Sequence, residues 1–542
     1  MANCHLISIL ILLLLALHAL STSAAWNVSI DCGSPDSYTE NSFTWIGDAL
    51  LMNNGESRAV QHTQRALSTL RVFPTRKKNC YSINVTAAEE ETVDGRLLQV
   101  LVRASFFYGN YDTKYAPPIF DLHFDGNRWT AVVTQLDEVV YEEAIYFVKR
   151  DAAISVCVAQ TRPDQPAFIS ALEVRSLAPE MYRRAHNYSS ALINTRRVAF
   201  SSSAPIVRYP EDVYDRIWQR KDPAEENLSL KNLAHSVDVG IADNPPQAVF
   251  LNAVSSANHS SPISLATNIP KLNQVLPIYV NLYFAEVNET ITKKRSFKFY
   301  IDNEAIGDPI VPIFGEATML NVQNKNASSE TSFKLQATSG NTFPPLINAL
   351  EVFTVTHPLS KGTNAKDVEA LASLQSRFDA LREWNGDPCL PLPYTWDWLD
   401  CSYDIPPRVT ALHLGGYGLS GPLPNFSVMD ALEIIDLHNN SLNGAIPHFL
   451  TTLPKLRELN LADNEFSGAI PSFSFNNTKP NINLSFSGNP NLCAYGNTNC
   501  HELDGRSAPG ASKGPSFAGT RVSCVLLASV SAIIHMFVHL YT

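Results

Sequence analysis

The sequence predicts a mainly β protein: tandem β-sandwiches followed by a short repeat solenoid. Three observations predict it. Runs rich in Val, Ile, Phe, Tyr and Thr, such as Leu97 to Phe107, Ile154 to Ala159 and Ile278 to Phe284, are separated by Pro, Gly, Asn and Asp clusters rather than by amphipathic helices. The segment Pro166 to Val174 (PAFISALEV) is echoed 178 residues later by Pro344 to Val352 (PPLINALEV), which is the mark of a duplicated unit. Near the C-terminus a leucine pattern recurs after 23 and then 24 residues.

Residues 1–25 read as a secretory signal. Leu6 to Leu20 is an apolar run too short for a comfortable membrane span, and Ser23, Ala24 and Ala25 supply the small residues that precede cleavage, although no Lys or Arg precedes the run. Eleven Asn-x-Ser/Thr sequons suit an extracellular glycoprotein: Asn27, Asn84, Asn187, Asn227, Asn258, Asn288, Asn326, Asn425, Asn439, Asn476 and Asn483.

The echo places one sandwich at 26–178 and a second at 195–357. Residues 358–388 then read as a linker and approach to the solenoid, and 389–500 as the repeats with cysteine caps. Leu412, Leu414, Leu419, Gly421, Leu423 and Pro424 are matched by Ile435, Leu437, Leu442, Gly444, Ile446 and Pro447, then by Leu459, Leu461, Phe466, Gly468, Ile470 and Pro471. This is leucine-rich-repeat spacing, in which each repeat gives one short strand and buries its leucines only when neighbours stack on it. Asn440 and Asn464 fall where side-chain amides serve the backbone between coils, and a degenerate fourth repeat lies around Leu484 and Phe486.

Cys389 with Cys401, and Cys493 with Cys500, bracket the repeats as caps. A bond closing the first of these loops contributes about 3 kcal/mol. With Cys4 and Cys524 in discarded segments, seven cysteines remain. Cys32 is expected to pair with Cys80, leaving Cys157 buried in its strand.

Residues 501–542 end in an apolar run, Val522 to Thr542, long enough to cross a bilayer. Small residues at Gly510, Ala511 and Ser512 and a polar spacer precede it, the layout of a glycosylphosphatidylinositol signal with attachment at Gly510. A retained terminal membrane helix is the alternative.

Several segments resemble the malectin-like ectodomain of plant leucine-rich-repeat receptor kinases: Ile30 to Ser34, Arg71 to Pro74, Asn79 to Tyr81, Arg103 to Asp112, Tyr209 to Trp218 and the Gly386-Asp387-Pro388-Cys389 junction. The resemblance implies two malectin-like modules and a role in recognition. Those receptors continue into a kinase, whereas this sequence stops at Thr542, so the expectation is a plant cell-surface co-receptor without its own kinase, binding receptor-like kinases or peptide ligands at the outer face of the plasma membrane. The alternative is a lectin-like protein that binds cell-wall glycan. Malectin grips sugar through aromatic faces and one Asp. Here Tyr108, Tyr111 and Tyr115 fall near the aromatic positions of the first module, but the acid's place is taken by Gln165 and Phe343, and Asn288 and Glu289 replace the aromatic pair in the second.

The second candidate site is the strand face of the solenoid, which presents His413, Asp436, His438, Glu458, Asn460 and Ala462. A composite site with the first module near Gly386 to Cys389 is expected, because a face of about three strands is smaller than the roughly 800 Å² per partner of a standard interface. The net charge of −11 offers no basic surface to nucleic acid. Gly416 to Gly421 matches a dinucleotide fingerprint, but it sits inside a repeat without a βαβ unit. No carboxylate pair stands out for glycoside hydrolysis, and His535 and His539 lack the intervening Glu of a zinc protease. No enzymatic activity, cofactor or metal is expected.

Overall fold

The computed structural model describes residues 26–86, 92, 95–183, 188–271, 274–289, 295–340, 343–473 and 482–493. Residues 1–25, Asn187, Asn476, Cys500, Gly510 and the apolar run to Thr542 lie outside them. Among the described residues no helix is long and apolar enough to cross a membrane.

The chain is mainly β, and one twelve-stranded sheet runs through its first 357 residues. Its path begins Tyr38–Glu40, Phe43–Gly47, Asn27–Asp31, Ala171–Ser176, Leu97–Phe107 and Val139–Lys149. It continues through Leu192–Phe200, Ala349–Val355, Leu276–Phe284 and Thr318–Ala327. The expected sandwiches are therefore not separate bodies. Their sheets join at a narrow seam, where Val139–Lys149 pairs with Leu192–Phe200 through Ala144↔Ile193 and Ile145↔Leu192.

Each half of this sheet is covered by a second layer. In the first half the alternate residues Leu98, Val100, Val102, Ala104 and Phe106 form one core with Tyr81, Ile83, Phe120, Leu122, Phe124, Val156 and Val158 of the four-stranded sheet Lys78–Asn84, Ala153–Gln160, Ile119–Phe124, Asn127–Val133. This is the period-two burial expected of a strand facing a core. In the second half Val280, Leu282, Phe284, Leu350 and Val352 pack on Phe297, Phe299, Ile301, Phe333 and Leu335.

The C-terminal region is a β-solenoid. Val409–His413, Ile434–Asp436, Glu458–Asn460 and Asn483–Ser485 pair in parallel, one per coil, and Leu399–Cys401 closes the edge antiparallel. The repeated leucines from Leu412 to Leu461 are buried, apart from Leu423, which is partly buried. Inside the coils runs a ladder of asparagines. Asn464 Nδ2 donates to the carbonyls of Leu437 (2.9 Å), Leu461 (3.3 Å) and Ala462 (3.1 Å), while its Oδ1 accepts from Leu442 N (3.0 Å). Asn440 does the same one coil earlier, and Asn489 one coil later, with Oδ1 accepting from Phe466 N (3.0 Å). Each amide thus satisfies carbonyls that the turning backbone would otherwise bury unpaired.

The interval 358–388 is more than a linker. Ala365–Arg377 is an α-helix whose N-cap Asn364 accepts from Lys366 N (3.1 Å). Its Ala370, Leu371 and Leu374 join Trp384, Trp396, Trp398 and Leu399 in sealing the first coil. Asp367, buried in the first turn of this helix, accepts from Arg408 Nε (2.9 Å) and from Val409 N (2.9 Å).

Two disulfides lie fully within the described residues. Cys389 is joined to Cys401. Cys80 is joined to Cys157, not to Cys32 as expected from sequence. The reason is register: Cys80 and Cys157 stand opposite each other on adjacent antiparallel strands, while Cys32 is a buried free thiol, pushed well above its ordinary pKa by burial. Cys493 is also disulfide-bonded, and its expected partner Cys500 is outside the described residues.

Candidate recognition surface

The aromatic loop after Leu97–Phe107 does not display Tyr108. That ring is fully buried in the first core, edge-on to Tyr111 at 5.4 Å and tilted against Phe168 at 6.3 Å. Its hydroxyl donates to Asp112, and burial together with that bond pushes its pKa up to about 12. A ring placed in the core beside Phe168 cannot serve as the aromatic contact that its position in the sequence suggested. Tyr111 is half-buried and meets the same Phe168 edge-on at 5.6 Å. Tyr115 alone stands out, 73% exposed. Its left-handed backbone is held by Asn110 Oδ1, which accepts from Tyr115 N (2.9 Å).

Beside this loop is an open hollow of about 370 Å³ lined by Glu56, Arg58, Tyr111, Asp112, Lys114 and Pro166. Gln165, in the place of malectin's Asp, spends its Oε1 on Ile119 N (3.1 Å). Phe343, its counterpart in the second half, lies under the Arg295 guanidinium at 5.7 Å.

On the solenoid, ladder register sets His413, Asp436, Asn460 and Ser485 side by side, with Glu458 beside Asn483 one row away. His413 Nε2 pairs with Asp400 (2.8 Å), and His438 Nδ1 with Asp436 (2.7 Å). The imidazole of His438 lies so close to Gly415 that a Cβ there would meet it at 2.3 Å. Ala462, expected on the face, is instead buried. Asn483 is exposed on this face, so a glycan on it would occupy the far end of the row.

Sequence reasoning joined the two regions through the Gly386 to Cys389 junction, and the residues there do meet the first half. Lys78 Nζ donates to the carbonyls of Asp387 (2.7 Å) and Leu390 (2.9 Å), and burial lowers its pKa to about 8. Arg76 pairs with Glu383 (3.1 Å) and covers the ring of Trp384. Tyr394 donates to Asp121 (3.2 Å). Gly386 has a positive φ, and a Cβ there would lie 2.5 Å from Cys80 Sγ, so the first bridge needs glycine against it. Asp387 fixes the turn by accepting from Thr363 N (2.7 Å), Cys389 N (3.0 Å) and Leu390 N (2.8 Å).

The residues that sequence reasoning missed form a buried ionic network on the other face of the long sheet. Arg103 Nε donates to Glu143 (2.7 Å), and its other nitrogens reach Glu173 (3.2 Å) and Asp215. Arg175 and Arg208 also bind Asp215 and Glu173. Arg197 joins Glu143 to Glu351, which accepts from Tyr182 (2.8 Å) and Tyr283 (2.7 Å). Arg216 and Trp218 share Asp212. Burial alone would raise these carboxyls; Arg103 and Arg208 instead hold Asp215 well below the usual range, and Arg197 does the same for Glu143 and Glu351. Much of the sequence from Arg103 to Asp112 and from Tyr209 to Trp218 is therefore committed to internal cohesion. The signal was available as many charges in otherwise strand-like segments, but nothing in spacing names their partners.

Comparison with known proteins places this architecture. The malectin-like domain family matches residues 30–355. A probable LRR receptor-like serine/threonine-protein kinase of Arabidopsis thaliana is 31% identical over 422 residues, covering 76% of this chain and 48% of that protein. Another so named, from the same plant, is 32% identical over 460 residues, covering 80% and 50%. The chain spans about half the length of the curated relatives it matches. Among solved structures, the ANX2 ectodomain from Arabidopsis thaliana is 14% identical with a TM-score of 0.48, over 61% of this chain and 97% of that one. A chain from the complex of the plant peptide RALF23 with FER and LLG2 is 15% identical with a TM-score of 0.47, over 61% and 95%.

Proposed function

Since this chain belongs to the malectin-like domain family, we propose that it is a cell-surface recognition protein that binds protein or peptide partners alongside receptor-like kinases, and that it works by binding rather than catalysis. The observation that carries this reading is the junction of Lys78 with Asp387 and Leu390. It mounts the solenoid on the first half, so that both can contribute to one interface. A standard protein interface needs roughly 800 Å² per partner, more than a row of short strands supplies by itself.

On this reading the two halves are malectin-like modules fused through one sheet, and the solenoid is a leucine-rich-repeat array. Export, glycans at the exposed sequons and a lipid anchor at Gly510 belong to the same proposal. Relatives named as receptor kinases support it, as does the commitment of Glu143, Glu173, Asp215 and Glu351 to internal arginines. A protein partner is favoured over a glycan because Tyr108 is in the core and Gln165 stands where malectin has its acid, with its carbonyl engaged by Ile119 N, so the pairing of aromatic face and acid that malectin uses is incomplete.

The test is to present the glycosylated chain to a panel of receptor-like kinase ectodomains and secreted plant peptides, in parallel with a glycan array. Saturable binding to an ectodomain or peptide is expected. Binding to glycans alone would overturn the reading.

A further inference from the structure

Where the two halves meet, the seam opens into a cleft of about 660 Å³, within the 300–1,000 Å³ typical of ligand sites. Its floor is the start of Leu192–Phe200, and that strand carries a β-bulge: Asn194 opposes Phe353 and Arg196 opposes Val352, with Thr195 left over. A bulge re-aims the side chains that follow it. Here it leaves Asn194, Arg196 and Arg197 lining the same cleft.

These three side chains carry unused donors. Arg197 is buried, its Nε donating to Glu351 (2.7 Å) and its Nη1 to Glu143, yet its Nη2 has no partner among the described residues. Arg196 donates from Nη1 to Asn268 (3.2 Å), but its Nε is buried and unpaired, and no carboxylate of the described residues neutralises it. Asn194 Nδ2 is likewise buried without an acceptor. The buried arginines described above each have an acid against them, whereas half-buried Arg196 has none among the described residues. An uncompensated guanidinium beside two idle N–H donors is a standing desolvation cost that an incoming carboxylate would relieve, in the planar geometry that Arg favours.

Resting on the reading of this chain as a peptide- or protein-binding molecule, we propose that this cleft is a recognition pocket for an acidic side chain of an extended peptide, its carboxylate received by Arg196, Arg197 Nη2 and Asn194 Nδ2. The walls favour peptide over acidic sugar. Ile193, Ile217 and Pro270 offer aliphatic surface, and Tyr141 is the one aromatic ring among the described lining residues. Two acids also line the cleft, Glu143, which is already paired with Arg103 and Arg197, and Glu142, whose carboxyl burial pushes up to about 8.

The full chain tests this against arrays of random octapeptides with a single fixed central Glu, the same arrays with Gln, and a uronic-acid oligosaccharide as a separate arm. Retention on the Glu array is expected, falling at least tenfold on the Gln array and in Arg196→Ala. Arg382→Ala, an exposed arginine on the solenoid side, should leave it unchanged. Asn194→Ala is a second variant whose side-chain amide holds nothing in the fold, so a loss of binding with an unchanged melting temperature isolates the pocket. Equal retention on Glu and Gln, indifference to both variants, or capture by the oligosaccharide in place of peptide would overturn the cleft assignment while leaving peptide recognition elsewhere intact. Failure to hold any peptide or any receptor ectodomain would remove both.

Discussion

Arg197, in the second half of the long sheet, donates to Glu143, in the first, and so carries an ion pair across the seam that backbone pairing bridges at only Ala144↔Ile193 and Ile145↔Leu192. Glu143 also accepts from Arg103. The seam is thus held by buried charge as much as by strand pairing.

Removing one member of this network leaves its partners buried with less compensating charge. Arg103→Leu takes one arginine from Glu143, Glu173 and Asp215 together, leaving Glu143 with Arg197 alone and the other two with Arg175 and Arg208, and a loss of about 3 kcal/mol is expected. Arg220→Ala, which breaks only the exposed pair with Asp222, should change stability by less than about 1 kcal/mol. Urea unfolding of the two variants reads the contrast. Equal midpoints would mean that the network is not structural.

The pH response has two opposed parts. Glu143, Glu351 and Asp215 have carboxyls held below their ordinary values, so their stabilisation is present above the unfolded pKa near 4 and is lost as pH falls through the folded values. Glu142 goes the other way, raised to about 8 by burial and by neighbouring Glu143. Below pH 4.5 its proton is bound in both states; between there and 8 the folded state holds the proton more tightly, so rising pH destabilises the fold across that window. Melting curves from pH 4.5 to 8.5 should therefore fall less with pH in Glu142→Gln than in the wild type, and parallel curves would rule the effect out.

The asparagine ladder predicts a graded response. Asn464→Ala takes one donor from each of the carbonyls of Leu437, Leu461 and Ala462, which keep Asn440 Nδ2, Asn489 Nδ2 and Asn439 N respectively, and removes the acceptor of the Leu442 amide. A cost of about 1–3 kcal/mol is expected for the buried amide left unsatisfied. Hydrogen exchange should show new opening on both coils flanking position 464 while the long sheet stays protected.

The aromatic loop separates a core ring from a surface ring. Tyr108→Ala empties a buried site and should destabilise the first half by about 3–5 kcal/mol, in line with other large aromatic truncations. Tyr115→Ala should leave the melting temperature unchanged and, once a partner is in hand, weaken its binding if this loop is in the interface. An unchanged melting temperature in Tyr108→Ala would contradict its burial.

Gly386→Ala places a methyl against the Cys80 sulfur. Faster protease cleavage between the first half and the solenoid is expected, with both the Cys80–Cys157 and Cys389–Cys401 peptides still found without reduction. A native Cys32 that reacts with iodoacetamide as fast as in denaturant would contradict its burial.

The parts legible in the sequence are those whose cause is local. Alternation from Leu97 to Phe107 and the leucine spacing from Leu412 to Leu461 follow from which side a strand faces, and both elements lie where that pattern puts them. Asn489 escaped because its coil lacks clear leucines, although its three-residue offset from Phe486 matches that of Asn464 from Leu461. The helix Ala365–Arg377 was taken into a linker because its polar residues outweigh a narrow stripe of Ala370, Leu371 and Leu374. Non-local facts were not readable: that Arg103 meets Asp215, that Cys80 faces Cys157, or that two echoed units share a sheet. Each depends on register between segments far apart, and one charge in a strand looks like another.

The order in which the polypeptide is made differs from the order in which it packs. Lys78 waits for Asp387, which follows 309 residues later. At synthesis rates of about 5–20 residues per second, that is a delay of about 15–60 s. During that interval the first half can close its own Cys80–Cys157 bridge, but the flank beside it, with Lys78, Arg76 and Asp121, has no mate. The nascent chain therefore carries an unfinished, charged side until Glu383, Asp387 and Tyr394 have emerged to cover it.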